Sequence, residues 1–259
     1  MLKAMHKPNL ATAKVAVSWS DGFAAIAQQF AQENNLAIIN ELPDWRGLCF
    51  HLDDTGWALG ELASAQSSRF IVDFQPKHVA QGKDPLLKAM AKFQTVLDIT
   101  AGWGGDALHI ACSGRKVVAV ERNPVVAKLL MQAHEKLKGV LAKQLRFLQF
   151  DATSATFKQQ LFAQLDNNAH FDLVYMDPMF PDKEGKHAKS KKPMRLMQTL
   201  TDEACNDNEK QLFYTAMSIA TQRVVVKRAL KAPFIANEIP QGSIKSKLLR
   251  FDLYKPYIN

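Results

Sequence analysis

The chain of 259 residues is 47% hydrophobic and carries a formal net charge of +8, with an isoelectric point near 9.3. This apolar content is typical of a soluble globular protein with a buried core, while the positive charge favours a polyanionic partner. The three cysteines lack disulfide or metal-ligand spacing, and no apolar run reaches the roughly 18 residues that span a bilayer, so no disulfide framework, metal site or membrane protein is predicted.

Residues 1–80 are predicted to form a small α+β N-terminal subdomain. Short runs rich in apolar residues indicate strands at 14–18, 36–39, 48–51, 57–59 and 70–74, and a helix is predicted at 22–33. This segment contains no recognisable chemical motif. Its N-terminus also lacks an apolar signal core, so a cytoplasmic protein is expected.

Residues 81–259 are predicted to form a second domain of the α/β class. A helix at 85–91 precedes a strand at 95–100, and further strands at 116–120, 145–149, 171–175 and 223–226 alternate with helices at 106–112, 124–137, 154–165 and 208–220. This alternation predicts a Rossmann-like, doubly wound and mainly parallel sheet. Ligands of such sheets bind beyond the carboxyl ends of the strands.

The first strand of this domain leads into a glycine loop. Asp98, Thr100, Gly102 and Gly104 recur at every second position there, and glycine lets the backbone approach a ligand without a Cβ atom in the way. Glu121 ends the next strand, where its carboxylate can accept hydrogen bonds from both hydroxyls of a ribose. The same glycines also satisfy the dinucleotide pattern, so spacing alone leaves S-adenosylmethionine and NAD both open.

Acidic residues near the loop favour S-adenosylmethionine. Asp106 begins the following helix, where a carboxylate competes with a pyrophosphate for the positive end of the helix dipole. S-adenosylmethionine has no phosphate, and Asp98 adds a second acid near its cationic amine. After the third strand, Asp151 can accept a hydrogen bond from the exocyclic amine of the adenine, and Thr153 or Ser154 can donate one to the adenine. Ser154 could instead be only the N-cap of the following helix.

The strand at 171–175 is followed by Asp177-Pro178-Met179-Phe180. This tetrapeptide resembles the Asp/Asn-Pro-Pro-Tyr/Phe signature of methyltransferases that act on planar nitrogens. The exocyclic amine of a base is a poor nucleophile, because its lone pair is delocalised into the ring. Asp177 and a backbone carbonyl near Pro178 can accept both amine protons, and Phe180 can stack on a base that has left its helix. These three residues are the predicted catalytic group.

Most of the excess positive charge lies in the C-terminal third. Residues 182–259 contain 15 Lys and Arg against 8 Asp and Glu, whereas residues 1–181 contain 18 against 17. The basic segment 182–195 directly follows the tetrapeptide. It is predicted to be a mobile loop with a role at the site rather than a solvated linker.

Together these motifs resemble the bacterial family that methylates guanine N2 in small-subunit (16S) ribosomal RNA near its 3′ end. The matching stretches are LDITAGWGGDA at 97–107, VERNPVVAKLL at 120–130, VYMDPMFP at 174–181, KKPMR at 191–195 and RVVVKR at 223–228. Gly105 stands where members commonly have a charged residue, and the first eighty residues match loosely. The resemblance implies S-adenosylmethionine as cofactor, contacted by Gly105, Asp106, Glu121, Arg122, Thr153, Ser154 and Asp177.

The resemblance also implies 16S rRNA or the small ribosomal subunit as partner, with no obligate protein partner. RNA phosphates are expected to contact Lys183, Lys186, Lys189, Lys191, Lys192, Arg195, Lys227 and Arg228, with Lys245, Lys247 and Arg250. Recognition would depend on rRNA shape and an unstacked guanine. The alternatives are an adenine-N6 methyltransferase, an NAD-dependent oxidoreductase and a noncatalytic RNA-binding module.

Overall fold

The computed structural model describes residues 14–39, 45–61, 69–76, 84–165, 169–178, 192–201 and 206–257. The described residues of 1–73 and 189–202 form one compact unit, and those of 74–188 and 203–259 form another. Each unit contains its own β-sheet.

The first unit is built on a small four-stranded sheet. Its elements are β1 (Val15–Trp19), α1 (Ala24–Glu33), β2 (Ala37–Ile38), β3 (Leu48–Asp53) and β4 (Gly56–Glu61), with strand order β2-β1-β3-β4. β1 pairs in parallel with β2 and β3, and β4 is antiparallel to β3. Phe30 of α1 packs against the rings of Phe50 and Trp57. The strand predicted at 70–74 is wrong, because only Phe70 forms an isolated bridge, to Leu59.

The second unit is built on a seven-stranded sheet. Its strands are β5 (Thr95–Asp98), β6 (Lys116–Glu121), β7 (Leu145–Gln149), β8 (Phe171–Met176), β9 (Ala220–Ala229), β10 (Gly242–Lys245) and β11 (Leu249–Tyr254). They lie in the order β10-β11-β9-β8-β5-β6-β7. The five strands from β9 to β7 are parallel, while β11 is antiparallel to β9 and to β10. The predicted Rossmann-like, mainly parallel sheet is therefore confirmed.

Seven helices follow α1 in the described part of the chain. They are α2 (Pro85–Met90), α3 (Gly105–Cys112), α4 (Pro124–Glu135), α5 (Gly139–Gln144), α6 (Phe157–Gln164), α7 (Lys192–Leu200) and α8 (Asn206–Ile219). α7 belongs to the first unit and the others to the second. The start of α4 shows how the sequence sets these ends: Asn123 Oδ1 accepts hydrogen bonds from the backbone N–H groups of Val125 and Val126, and proline occupies the first helical position.

The loop predicted at 182–195 is wrong where it overlaps α7. Leu196, Met197 and Leu200 are buried on one face of this helix, and that apolar stripe is typical of an amphipathic helix. The basic residues before the stripe masked it in the sequence. Residues 182–191 lie outside the described residues.

The order of the strands places the candidate site. From β5 the chain continues outward to β6 and β7 on one side, and later to β8 and β9 on the other. The order therefore reverses between β5 and β8, and in doubly wound sheets such a point opens a crevice beyond the carboxyl ends. Leu97 of β5 and Val174 of β8 are fully buried, so these two strands lie in the core of the unit beneath the crevice.

Candidate active site

The carboxylate of Glu121 holds the glycine loop between β5 and α3. Its Oε2 accepts a hydrogen bond from the Gly102 backbone N–H at 2.9 Å, and its Oε1 accepts one from Asn123 at 2.8 Å. Glu121 is only 7% exposed, and burial raises the pKa of its carboxyl, although these N–H groups oppose the shift. Glu121 thus fixes the loop as well as lying at the predicted strand end. Its contact with a ribose stays a prediction.

Gly104 is required by its surroundings, whereas Gly105 is not. Gly104 has a φ of +76°, and a Cβ atom built there would lie 2.7 Å from Leu130 Cδ2 and 3.0 Å from Phe74 Cζ. A Cβ atom on Gly105 would meet nothing within 4 Å. A side chain at position 105 therefore fits the loop, in agreement with the charged residue that the resembled family commonly has there.

Asp98 lies buried at the end of β5. Its Oδ1 accepts a hydrogen bond from the Thr100 backbone N–H at 2.9 Å. Burial, with Asp106 and Asp177 nearby, raises the pKa of Asp98 to about 8. Thr100 also accepts a hydrogen bond through Oγ1 from the Asp177 backbone N–H at 2.7 Å. This threonine therefore ties together the ends of β5 and β8.

The segment after β7 forms its own hydrogen-bonded turn. Asp151 Oδ1 accepts from the Thr153 backbone N–H at 2.9 Å and from Thr153 Oγ1 at 2.6 Å. Ser154 is exposed, and its hydroxyl pairs with that of Thr156 at 3.0 Å. The alternative that Ser154 caps the next helix is wrong, because α6 begins at Phe157 with Thr156 at the N-cap. Ser154 is thus left accessible at the carboxyl edge of the sheet.

The Lys227 ammonium bridges two carboxylates in the crevice. Lys227 Nζ lies 2.8 Å from Asp106 Oδ2 and 2.8 Å from Asp177 Oδ2. The Tyr175 hydroxyl donates to Asp106 Oδ2 at 2.6 Å. Burial alone would lower the pKa of Lys227, but Asp177 and Asp106 outweigh it and the pKa is raised. Lys227 is therefore a permanent cation of the site.

Asp177 lies where the tetrapeptide predicted it, just beyond β8. Burial raises the pKa of its carboxyl, Lys227 opposes the shift, and Asp106 adds to it. The side chain is still 40% exposed, so it can be reached from the crevice. Pro178 is buried directly after it. Phe180, the third predicted catalytic residue, lies outside the described residues.

Two residues predicted to bind RNA phosphates have other partners. Lys227 points into the crevice, and Arg228 is only 2% exposed, with its guanidinium 3.1 Å from Glu209 Oε1 and donating to the Pro233 carbonyl at 2.9 Å. The phosphate role predicted for Arg228 is therefore wrong. Neighbouring residues of a strand face opposite sides of a sheet, so this pair meets α3 on one side and α8 on the other.

Arg250, expected in the same group, is also buried, and it forms an ion pair with Asp252 at 2.9 Å. The predicted RNA contacts of the basic segment 182–195 lie partly on α7 and partly outside the described residues. Lys192 and Arg195 lie on α7, and Arg195 is exposed. The others in that segment lie outside the described residues: Lys183, Lys186, Lys189 and Lys191.

The sequence placed Thr100 in the glycine loop without indicating its bond to Asp177, and Tyr175 was not predicted as a member of the site. Tyr175 stands two residues before Asp177, and residues two apart on a strand share a face. That spacing was the available signal. Arg122, predicted at the cofactor, is exposed immediately after Glu121.

The residues at this edge match the chemistry of S-adenosylmethionine. Asp98 and Glu121 end β5 and β6, and Asp151 follows β7; these neighbouring strands lie about 4.8 Å apart. A cationic amine, a ribose diol and an adenine amine each offer a donor to one of these acceptors. The anionic pyrophosphate of a dinucleotide would instead meet carboxylates. Within the described ranges, no group of three or more His, Cys, Asp or Glu residues could hold a metal ion.

Comparisons with known proteins agree with this geometry. The family described as "Putative SAM-dependent methyltransferase" matches residues 29–256. A protein from Cellvibrio japonicus named ribosomal RNA small subunit methyltransferase J is 33% identical over 258 residues, which cover 91% of this chain and 94% of that protein. A protein of the same name from Photobacterium profundum is 44% identical over 165 residues, covering 61% and 62%.

A solved structure is similar over nearly the whole length. The crystal structure of a SAM-dependent methyltransferase from Neisseria gonorrhoeae superposes with a TM-score of 0.67 at 26% identity. The match covers 94% of this chain and 96% of that one. In the described part of this chain, no helix is both long and apolar enough to cross a membrane.

Proposed function

The chain belongs to the family of S-adenosylmethionine-dependent methyltransferases that includes the ribosomal RNA small subunit methyltransferases J, and we propose that it methylates the exocyclic N2 amine of a guanine in 16S rRNA. The observation that carries the proposal is the pair of Asp177 and Lys227 at the carboxyl end of β8. The choice of rRNA is supported by the relatives' names, and the choice of guanine by the motifs that the chain shares with the guanine-N2 family.

Asp177 is the acceptor for the target amine. Lys227 occupies its Oδ2, so Oδ1 is left to accept an N–H of the base. A second N–H can be accepted by a backbone carbonyl near Pro178, and the two bonds hold the nitrogen with its lone pair directed at the methyl group. Positioning and electrostatics therefore provide the catalysis, and a strong base is not needed.

Lys227 sets the charge of Asp177. Burial raises the pKa of this carboxyl, and a protonated Asp177 could not accept an amine proton through the same oxygen. The nearby ammonium favours the ionised form. After the nitrogen gains a methyl group it must lose one proton, which Asp177 can take and pass to water through its exposed side.

S-adenosylmethionine supplies an electrophilic methyl group on its sulfonium. The residues proposed to hold it lie along the carboxyl edge: Asp98 with the amine, Glu121 with the ribose, and Asp151, Thr153 and Ser154 with the adenine. Gly105, Asp106 and Arg122 are added by the family resemblance. Glu121 serves a double purpose, because the carboxylate that meets the ribose also fixes the Gly102 backbone.

Methyl-labelled S-adenosylmethionine and 16S rRNA that lacks the modification provide the test. We expect label in the RNA and N2-methylguanosine after digestion to nucleosides. N6-methyladenosine would identify the adenine alternative, and an unlabelled RNA would contradict methyl transfer. Calorimetry with S-adenosylhomocysteine and with NAD distinguishes the oxidoreductase alternative, since only the first is expected to bind.

A further inference from the structure

Two tight turns lie side by side beyond the carboxyl end of β9. In the first turn, the Ala232 backbone N–H donates a hydrogen bond to the Ala229 carbonyl at 3.0 Å. In the second, the Ser246 backbone N–H donates one to the Leu249 carbonyl at 2.8 Å. A hydrogen bond of 3.1 Å from Leu230 to the Leu248 carbonyl joins them. The side chains at the tips of these turns therefore extend from a fixed backbone.

These turns present exposed basic and apolar side chains together. Leu248 is 74% exposed and Leu230 is 37% exposed. Lys231, Lys245 and Lys247 are exposed beside them. We call these five residues the rim surface.

The two acids in the part of the chain that forms the rim surface lie away from it. Residues 220–257 contain only two acids, Glu238 and Asp252. Asp252 is fully buried and paired with Arg250 at 2.9 Å. The Glu238 carbonyl accepts a hydrogen bond from the Tyr254 hydroxyl at 3.3 Å, and Tyr254 pairs with Val224, five residues before the end of β9. Glu238 therefore lies away from the two turns that carry the rim surface, which extend beyond the end of β9.

The rim surface lies on the same edge of the sheet as Asp177. Ala229 at the end of β9 pairs with Leu249, and Lys245 pairs with Arg250. The strands run in the order β8-β9-β11-β10 with about 4.8 Å between neighbours, so β10 lies about 14 Å from β8. An RNA strand with its target base at Asp177 would bring flanking nucleotides to this distance.

We propose that the rim surface binds the RNA strand flanking the target base, with the lysines on phosphates and the leucines against sugars and base faces. The inference rests on the proposed function, since it takes the methyl acceptor to be RNA. Lysine contacts to phosphate give affinity rather than base selection. RNA is a better partner than a protein because three exposed lysines accompany two exposed leucines, and lysine is depleted at protein–protein interfaces.

The test compares two triple variants with equal loss of charge. One replaces the rim lysines (K231Q, K245Q and K247Q), and the control replaces the exposed lysines K136Q, K138Q and K143Q, which lie around α5 before the amino end of β7. Affinity for a 16S rRNA fragment is measured over a range of salt concentrations. The rim variant should bind about tenfold more weakly near 0.1 M salt, and its salt slope should fall by about 2 to 3.

The control variant should stay within about twofold of the parent, and both should bind S-adenosylhomocysteine normally, which shows that they fold. Equal losses in the two variants would overturn the proposal, because they would indicate only a diffuse positive field. So would a rim variant that binds free RNA normally but methylates only ribosomal particles poorly, since the partner would then be a protein. A failure of the proposed function is seen separately, as a parent protein that yields no N2-methylguanosine.

Discussion

Lys227 Nζ lies 2.8 Å from Asp177 Oδ2, so an ammonium from β9 is in direct contact with the carboxylate that ends β8. The same ammonium lies 2.8 Å from Asp106 Oδ2 on α3. One side chain thereby links the proposed acceptor of the base amine to the helix that follows the glycine loop.

Lys227→Met is expected to move the acidic limb of the kcat/KM profile to higher pH. Activity needs ionised Asp177 and is lost as the pH falls through its pKa, which burial raises and Lys227 lowers. Without the ammonium the pKa of Asp177 rises further, because burial and Asp106 then act unopposed. Rates measured from pH 5 to 9 show the shift.

Lys227→Arg is the matched control, because it keeps the positive charge. Its acidic limb should stay near that of the parent, even if the rate falls. A Lys227→Met enzyme that lost the same factor at every pH would show that Lys227 is only structural.

Glu121→Gln is expected to loosen the glycine loop. A glutamine amide has one acceptor oxygen, whereas both carboxylate oxygens of Glu121 now accept backbone N–H groups. The free energy of unfolding should fall by about 1 to 3 kcal/mol, and S-adenosylhomocysteine should bind at least about tenfold more weakly. Urea unfolding and calorimetry measure the two effects. Arg122→Gln is the control, because Arg122 is the exposed neighbour of Glu121. It should change the free energy of unfolding by less than about 0.5 kcal/mol.

The two adjacent glycines should respond differently to alanine. Gly104→Ala places a Cβ atom against Leu130 and Phe74 at a positive φ, and should lower the free energy of unfolding by about 1 to 3 kcal/mol. Gly105→Ala enters open space at the start of α3 and should be neutral or slightly stabilising. Thermal unfolding distinguishes them. Equal destabilisation by both would show that the loop is not packed as described.

Asp98 should make cofactor binding depend on pH. Its pKa of about 8 leaves the carboxyl mostly protonated at neutral pH, whereas a cationic amine favours the ionised form. Affinity for S-adenosylhomocysteine should therefore rise between pH 6 and 8, by up to about tenfold per unit. Titration calorimetry in Asp98→Asn should show this dependence removed. An unchanged dependence would place the amine away from Asp98.

The alternating α/β core could be predicted from the sequence because each element carries a local signal. Asp98, Glu121 and Asp177 could be placed because they follow apolar strands whose carboxyl ends meet at one edge. β10 and β11 were not predicted, since Arg250 and Asp252 make a buried strand look exposed, and their pairing is visible only in three dimensions. The predicted domain boundary at residue 80 stays a prediction, as residues 77–83 lie outside the described residues.

The role of Lys227 could not be predicted for a related reason. Its partners are 121 and 50 positions away along the chain and are brought together by the order of β5, β8 and β9. Sequence charge alone suggested that Lys227 and Arg228 act together. The alternation of a strand could have separated them, because adjacent residues face opposite sides.

The most direct test of the role of Asp177 is the single-turnover rate of methyl transfer by Asp177→Ala at saturating cofactor and RNA, since alanine leaves no acceptor for the base amine. Asp172→Ala is the control, because Asp172 lies near the opposite end of β8 and caps the backbone of Gln94 and Thr95. Asp177→Ala should be slowed at least about 100-fold, with affinity for S-adenosylhomocysteine within a few-fold of the parent, while Asp172→Ala stays near the parental rate. A parental rate in Asp177→Ala would contradict the assignment of Asp177 as the acceptor of the base amine.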